Sequence, residues 1–213
     1  MYDPKTGAYY STVEQFDHEG AYRFEHNYYI KYNCQKALFA IGQLENNRGN
    51  NQNDCQTCHY YLDLLFEATG LIINRFRTSG KDSNREKQIK NNIIEYEFSD
   101  KEYPLLSNKN FRNFLEHIDE KDEVLIDKGI FFGTFNVIFP KMDDSVKKDL
   151  LNPNKKQNNI LDLEKMTYSI LFSPKNSDTI IPLDISIIDL KREISELGER
   201  SQTIWNYITD TLF

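Results

Sequence analysis

The stretch Ile30-Lys31-Tyr32-Asn33-Cys34-Gln35-Lys36-Ala37-Leu38-Phe39-Ala40-Ile41-Gly42-Gln43-Leu44 decides the fold class. Within it Ile30, Cys34, Ala37, Leu38, Ile41 and Leu44 recur every three or four residues. That period stacks side chains on one face of an α-helix, whereas a strand would alternate every second residue. Pro is absent from Phe16 to Leu44, and Gly is absent between Gly20 and Gly42, so nothing interrupts the hydrogen-bond ladder. The reading is one long helix from Phe16 to about Leu44, preceded by a polar, loosely held arm.

Outward from this helix the same period returns. Glu45 to Asp54, with its Asn-Arg-Gly-Asn-Asn, reads as a solvated connection. A second helix from near Asp54 to about Arg77 carries Tyr61, Leu64, Leu65, Ala68, Leu71, Ile72 and Phe76 over much of its circumference, which predicts a central position. Ser79-Gly80-Lys81-Asp82 ends it. Ser83 with Glu86 three residues on matches a capping box, and Ile89, Ile93, Ile94 and Phe98 mark a third, shorter helix. Pro104 and Ser107-Asn108 reset the chain, after which Phe111, Phe114, Leu115, Ile118 and Leu125 define a fourth helix from about Asn108 to Asp127.

Beyond Gly129 the pattern changes. Ile130 to Pro140, Met166 to Phe172 and Thr179 to Leu183 are β-branched and aromatic and predict strands, the last two joined by a hairpin loop over Ser173 to Asp178. Together they predict a small antiparallel sheet. Lys141 to Asn159 is a polar excursion with room for one short helix. Ile187, Leu190, Ile194, Leu197, Ile204 and Ile208 mark a last amphipathic helix from about Ser186 to Thr209, with Trp205 as its packing anchor.

Composition agrees. The chain has 213 residues, 39% hydrophobic and 28% charged, enough for one real core, so residues 1–213 are read as a single domain. Its parts are a helical bundle over 16–128, a small antiparallel sheet with a long polar loop over 129–184, and a C-terminal helix over 185–213. Fourteen Phe and thirteen Tyr against nine Gly and six Pro oppose both disorder and a turn-rich all-β design. A net charge of −7 is unlike proteins that grip nucleic acid by bulk electrostatics, so any such site must be local. The longest apolar runs fall far below the roughly 18 residues a membrane helix needs. The N-terminus lacks a basic segment followed by an apolar one, so the expected compartment is the cytoplasm.

The fourth helix carries the chemistry. Arg112-Asn113-Phe114-Leu115-Glu116-His117 places an Arg and a His five residues apart with an amide directly after the Arg. At about 100° per residue, Phe111, Phe114, Leu115 and Ile118 fall on one side, and Asn113, Glu116, His117 and Glu120 on the other, with Arg112 at its margin. The polar set is expected to face outward, toward solvent, substrate or a second subunit. Read without any family pattern, it is an ordinary helix surface with an Arg112–Glu116 ion pair.

The motif and the helix order resemble the HEPN superfamily, whose signature is an Arg, a polar residue that is often Asn, and a His four to six residues after the Arg. Arg112, Asn113 and His117 match it. The resemblance implies a bundle of four to five helices, here mainly α with a small antiparallel β-element before the C-terminal helix. It also implies metal-independent RNA cleavage by the ribose 2′-hydroxyl, with no cofactor, often by toxins or defence effectors held by an antitoxin or other regulatory partner. A free imidazole changes charge near neutral pH, which suits His117 to move the protons, and Arg112 offers a planar fork for the phosphate. Asn113 lies one turn before His117 and is placed to orient its ring, and Glu116 to position Arg112. Since one His cannot readily act as both base and acid, a homodimer with facing motif helices would supply two. Glu116, Asp119 and Glu120 would repel phosphates, so binding would need cations from elsewhere; Lys147, Lys148, Lys155 and Lys156 on the long loop are the candidates, the other and favoured reading being that the loop is an inert solvated excursion. The alternative is a HEPN-like binding or assembly module without catalysis.

Cys55-Gln56-Thr57-Cys58-His59 spells a C-x-x-C-H pattern. It serves haem attachment in exported proteins, and nothing here marks export. A zinc site on Cys55, Cys58 and His59, completed by Cys34 or His26, is the next reading, but a lone pair of cysteines more often means reduced thiols packed at a helix start. Tyr22, Tyr28, Tyr29 and Tyr32 are read as core or as an intersubunit surface. No glycine-rich phosphate loop, serine nucleophile motif or HExxH occurs.

Overall fold

A computed structural model describes residues 2–3, 8–9, 18–48, 55–78, 84–117, 135–152, 159–172 and 179–212. Among them the chain is mainly helical, with a small four-stranded sheet before the last helix. The long helix α1 spans His18–Asn47, and α2 spans Cys55–Ile73. Ile30, Cys34, Ala37, Ile41 and Leu44 are each at most 1% exposed, so these members of the stripe form the buried seam, with Leu38 partly buried at its edge. It meets Cys58, Leu62, Leu65, Ala68 and Ile72 of α2. The two helices run antiparallel, because Phe39 meets Tyr61, Lys36 pairs with Glu67, and Arg75 lies over Tyr29. Leu71 of α2 is 43% exposed, so this helix is less enclosed than its composition suggests. In α2 the apolar circumference faces partners on two sides and solvent on the third.

The last helix α6 (Ile187–Leu212) closes over α1. Gly198 permits the approach, since a Cβ there would lie 3.4 Å from the Cβ of Cys34. Polar contacts fix the same crossing: Ser201 donates to Asn27 Oδ1 at 3.0 Å, Tyr96 donates to the same oxygen, and Lys191 binds Glu45 at 2.8 Å. Helix α3 (Asn84–Glu95) is shorter and ends where Glu97 takes a positive φ of 51°. The Phe98 amide returns to the Ile93 carbonyl at 2.9 Å, a left-handed cap. Ser83 of the expected capping box lies outside the described residues.

The sheet departs from expectation. Strands β3 (Phe135–Ile138), β4 (Asn159–Asp162), β5 (Thr167–Phe172) and β6 (Ile181–Ser186) stand in that order. The pairs β4–β5 and β5–β6 are antiparallel, but β3 and β4 are parallel. A parallel pair needs a crossover, and the polar excursion supplies it with the short helix α5 (Asp144–Leu150), capped by Asp143. Strand β4 is the element that the sequence hid. A two-stranded ladder, β1 (Tyr2–Asp3) with β2 (Ala8–Tyr9), also lies in the stretch read as a loose arm. Among the described residues, no helix is long and apolar enough to cross a membrane.

Candidate active site on the fourth helix

Helix α4 spans Lys109–His117, and the remainder of the expected helix to Asp127 lies outside the described residues. Asn108 starts it, its Oδ1 accepting the amides of Asn110 at 2.8 Å and Phe111 at 3.2 Å. Phe111 and Phe114 are 1% and 2% exposed and turn inward, as the period demands. Their rings join an aromatic cluster: Phe66 of α2 lies 5.4 Å from Phe114 and 5.1 Å from Tyr168, and Phe172 lies 6.4 Å from Phe114. The sheet therefore backs the motif helix. The connection before α4 is held too, because the buried Glu193 carboxylate of α6 accepts the amides of Leu105 at 3.0 Å and Leu106 at 2.9 Å. Burial raises the Glu193 carboxyl above its ordinary range.

The polar face is less open than a surface reading expects. Arg112, Asn113 and Glu116 are partly buried. The Nε of Arg112 is buried and has no hydrogen-bond partner among the described residues. Glu116 does not position Arg112. Its carboxylate instead binds Arg77, which follows α2 and lies 39 residues upstream. Arg77 was not legible as a site residue, since no local spacing connects it to α4. It neutralises one of the carboxylates expected to repel a phosphate and brings a second guanidinium beside the motif. Of His117 the backbone alone is described, at the end of α4.

The two described lysines among those expected to assist do not gather here. Lys147 is engaged within the fold, donating to Glu164 at 2.7 Å and to the Pro140 carbonyl at 3.0 Å. Lys148 is exposed on α5. That helix follows β3, at the opposite edge of the sheet from β6, the strand against which α4 packs. Lys155 and Lys156 lie outside the described residues. A cleft of about 340 Å³ between α1 and α3, lined by Arg23, Gln88, Asn91, Ile94 and Glu95, contains none of the motif residues.

The cysteine segment does not assemble a metal centre. Cys58 is fully buried while His59 is exposed, its ring tilted 4.7 Å from that of Phe135 and its Nε2 3.7 Å from Asp63. Cys34 packs under α6, and burial pushes its thiol up to about 12. The helix register puts it several turns from Cys58. Among the described residues, no three His, Cys, Asp or Glu side chains are placed to hold an ion. The three cysteines form no disulfide.

Comparison with known protein families, characterised proteins and solved structures finds no match. The functional reading therefore rests on the residues of α4 and their surroundings.

Proposed function

We propose that the chain is a metal-independent endoribonuclease of the HEPN type, with Arg112, Asn113 and His117 as its working residues. The observation that carries this reading is the Arg112 guanidinium, whose Nε is buried without a partner among the described residues although a carboxylate lies one turn along the same helix. An unpaired buried donor costs roughly 1–3 kcal/mol, and a bound ligand is one way that such a cost is met. Glu116 is taken by Arg77, which leaves the Arg112 fork for an anion. In the proposed reaction the 2′-oxygen attacks the adjacent phosphorus, the bond from phosphorus to the 5′-oxygen breaks, and a 2′,3′-cyclic phosphate remains. One His117 takes the 2′-hydroxyl proton, the His117 of a second copy protonates the leaving oxygen, and Arg112 stabilises the pentacoordinate phosphorane.

The test is incubation of purified protein with RNA in excess EDTA. Cyclic phosphate ends are expected, and Arg112→Ala or His117→Ala should slow their appearance at least about 100-fold. Cleavage that proceeds unchanged in both variants removes the motif from the mechanism. The second reading, a HEPN-like assembly module without catalysis, draws on the exposed aromatic surface of α1 and α2. It predicts self-association with no cleavage.

A further inference from the structure

The α1–α2 hairpin carries apolar surface that the fold does not cover. On α1, Tyr28, Tyr32 and Phe39 are 45%, 53% and 56% exposed. Spacings of four and seven residues put them on one helix face, with the exposed Gln35 between them. On α2, Tyr60 and Leu71 are 62% and 43% exposed and lie three turns apart, again on one face. The antiparallel register joins the two faces. Arg75 lies 4.3 Å over Tyr29 at one end, Lys36 pairs with Glu67 at 3.0 Å in the middle, and Phe39 meets Tyr61 at 6.2 Å at the other end. Tyr61 then contacts Tyr60 at 5.3 Å, which joins the Phe39 end of α1 to Tyr60 of α2, with the Lys36–Glu67 pair between this end and Tyr29.

Its size narrows what can cover it. An aromatic side chain has about 150–250 Å² to bury, so Tyr28, Tyr29, Tyr32, Phe39 and Tyr60 with Leu71 leave on the order of 600 Å² of apolar surface. That is the upper end of the roughly 300–600 Å² found as the largest patch on a monomer. With the intervening polar groups it approaches the roughly 800 Å² that each partner contributes to a standard stable interface. Charge narrows it further. The cations on this face are already committed, Lys36 to Glu67, Arg75 over Tyr29, and Lys31 at 4.8 Å over Trp205. On this face no column of unpaired cations is left among the described residues to track a phosphate backbone. The face is close to neutral on a chain of net charge −7, so two copies can meet here without the repulsion they would feel elsewhere.

We propose that this hairpin face binds a second copy of the chain, as an isologous dimer whose twofold axis passes near Gln35. In that arrangement Tyr28 of each copy is directed toward the Phe39 end of the other, which is the self-complementarity a twofold contact requires. Helix α4 offers no comparable area, since it turns Phe111 and Phe114 inward and presents polar groups. The hairpin therefore supplies the affinity of this contact. This inference stands on the patch itself. Helix α4 packs against Phe66 and Gly70, on the far side of α2 from α1, so the facing of motif helices that the ribonuclease reading needs is a separate contact.

Sedimentation velocity on the full chain across a micromolar concentration range tests it. The wild type should be dimeric. Tyr32→Glu combined with Phe39→Glu should raise the dimer dissociation constant at least about 100-fold, because central aromatic anchors dominate interface energetics. Ile94→Glu, at the 75% exposed Ile94 of α3, should leave the constant unchanged. Should the double variant lose helicity, Gln35→Arg alters an exposed polar residue and sets like charges across the axis, with an expected weakening of about tenfold. A wild type that stays monomeric overturns the proposal, even if it binds single-stranded RNA through Tyr32 and Phe39. A dimer indifferent to these changes overturns it too. A dimer that responds as stated but cleaves no RNA sinks only the ribonuclease reading.

Discussion

Replacing Glu193 by alanine removes the acceptor of two backbone amides at once. The side chain is 0% exposed, and its carboxylate takes the Leu105 amide at 3.0 Å and the Leu106 amide at 2.9 Å. Each buried amide left unpaired costs roughly 1–3 kcal/mol. The alanine variant is relieved of the desolvation that raises the Glu193 carboxyl, so the net loss should be about 2–4 kcal/mol. Glu193→Gln keeps an acceptor without the charge and should cost less, about 1 kcal/mol at neutral pH. The pH dependence has a definite sign. Because the folded pKa lies above the ordinary 4.5, the stability from this group is fully present below 4.5 and is lost as pH rises through the folded value. The wild type should therefore gain on Glu193→Gln as pH falls from neutral toward 4.5. Urea unfolding followed by far-ultraviolet circular dichroism at fixed protein concentration measures both effects. A loss under about 0.5 kcal/mol for Glu193→Ala, or a gap that moves the other way with pH, would refute the reasoning.

Further outcomes follow from other contacts. His26 is 4% exposed, and burial together with Arg75 and Arg85 pulls its pKa from 6.5 to about 4. Its contribution is fully present above pH 6.5 and lost as pH falls toward 4, on the order of 3 kcal/mol, and His26→Gln should remove that part of the slope in urea titrations at stepped pH. Phe114→Ala should cost about 3–5 kcal/mol in a chemical denaturation series, since it empties the ring cluster that seats α4; a loss below about 1 kcal/mol would mean the helix is held otherwise. Arg77→Ala breaks a pair whose arginine side chain is 50% exposed, so stability should change by less than about 1 kcal/mol. The unmasked Glu116 should nevertheless weaken RNA binding, measured by fluorescence anisotropy at fixed salt, and equal affinity would remove Arg77 from the site.

What the sequence revealed was whatever repeats locally. The stripe from Ile30 to Leu44 and the series from Ile187 to Ile208 each mark a helix, and α1 and α6 begin and end within about three residues of the reading, because those contacts follow the helical period. Strand β4 escaped notice for a physical reason. Its four residues, Asn159–Asp162, are too few to show alternation and lie next to a polar excursion, and their burial comes from neighbours on both sides. The parallel pairing of β3 was hidden with it. Long-range polar choices were equally invisible. Asn27 and Ser201 carry no local signal, yet they hydrogen-bond across 174 positions inside the protein, and Glu116 takes a partner from beyond α2 rather than one turn away. At the candidate site the sequence supplied the motif residues and their helix. It did not supply the buried Nε of Arg112 or the Arg77 ion pair, which exist only once α2 and α4 have met.

The most direct test of the central claim uses a DNA oligonucleotide containing a single ribonucleotide, incubated with the purified chain in excess EDTA. If Arg112 and His117 drive attack by a 2′-hydroxyl, the strand is cut once, 3′ to the ribose, leaving a 2′,3′-cyclic phosphate, and Arg112→Ala abolishes the cut. Scission at other positions, scission of the all-deoxy strand, or an intact ribonucleotide-containing strand would contradict the account.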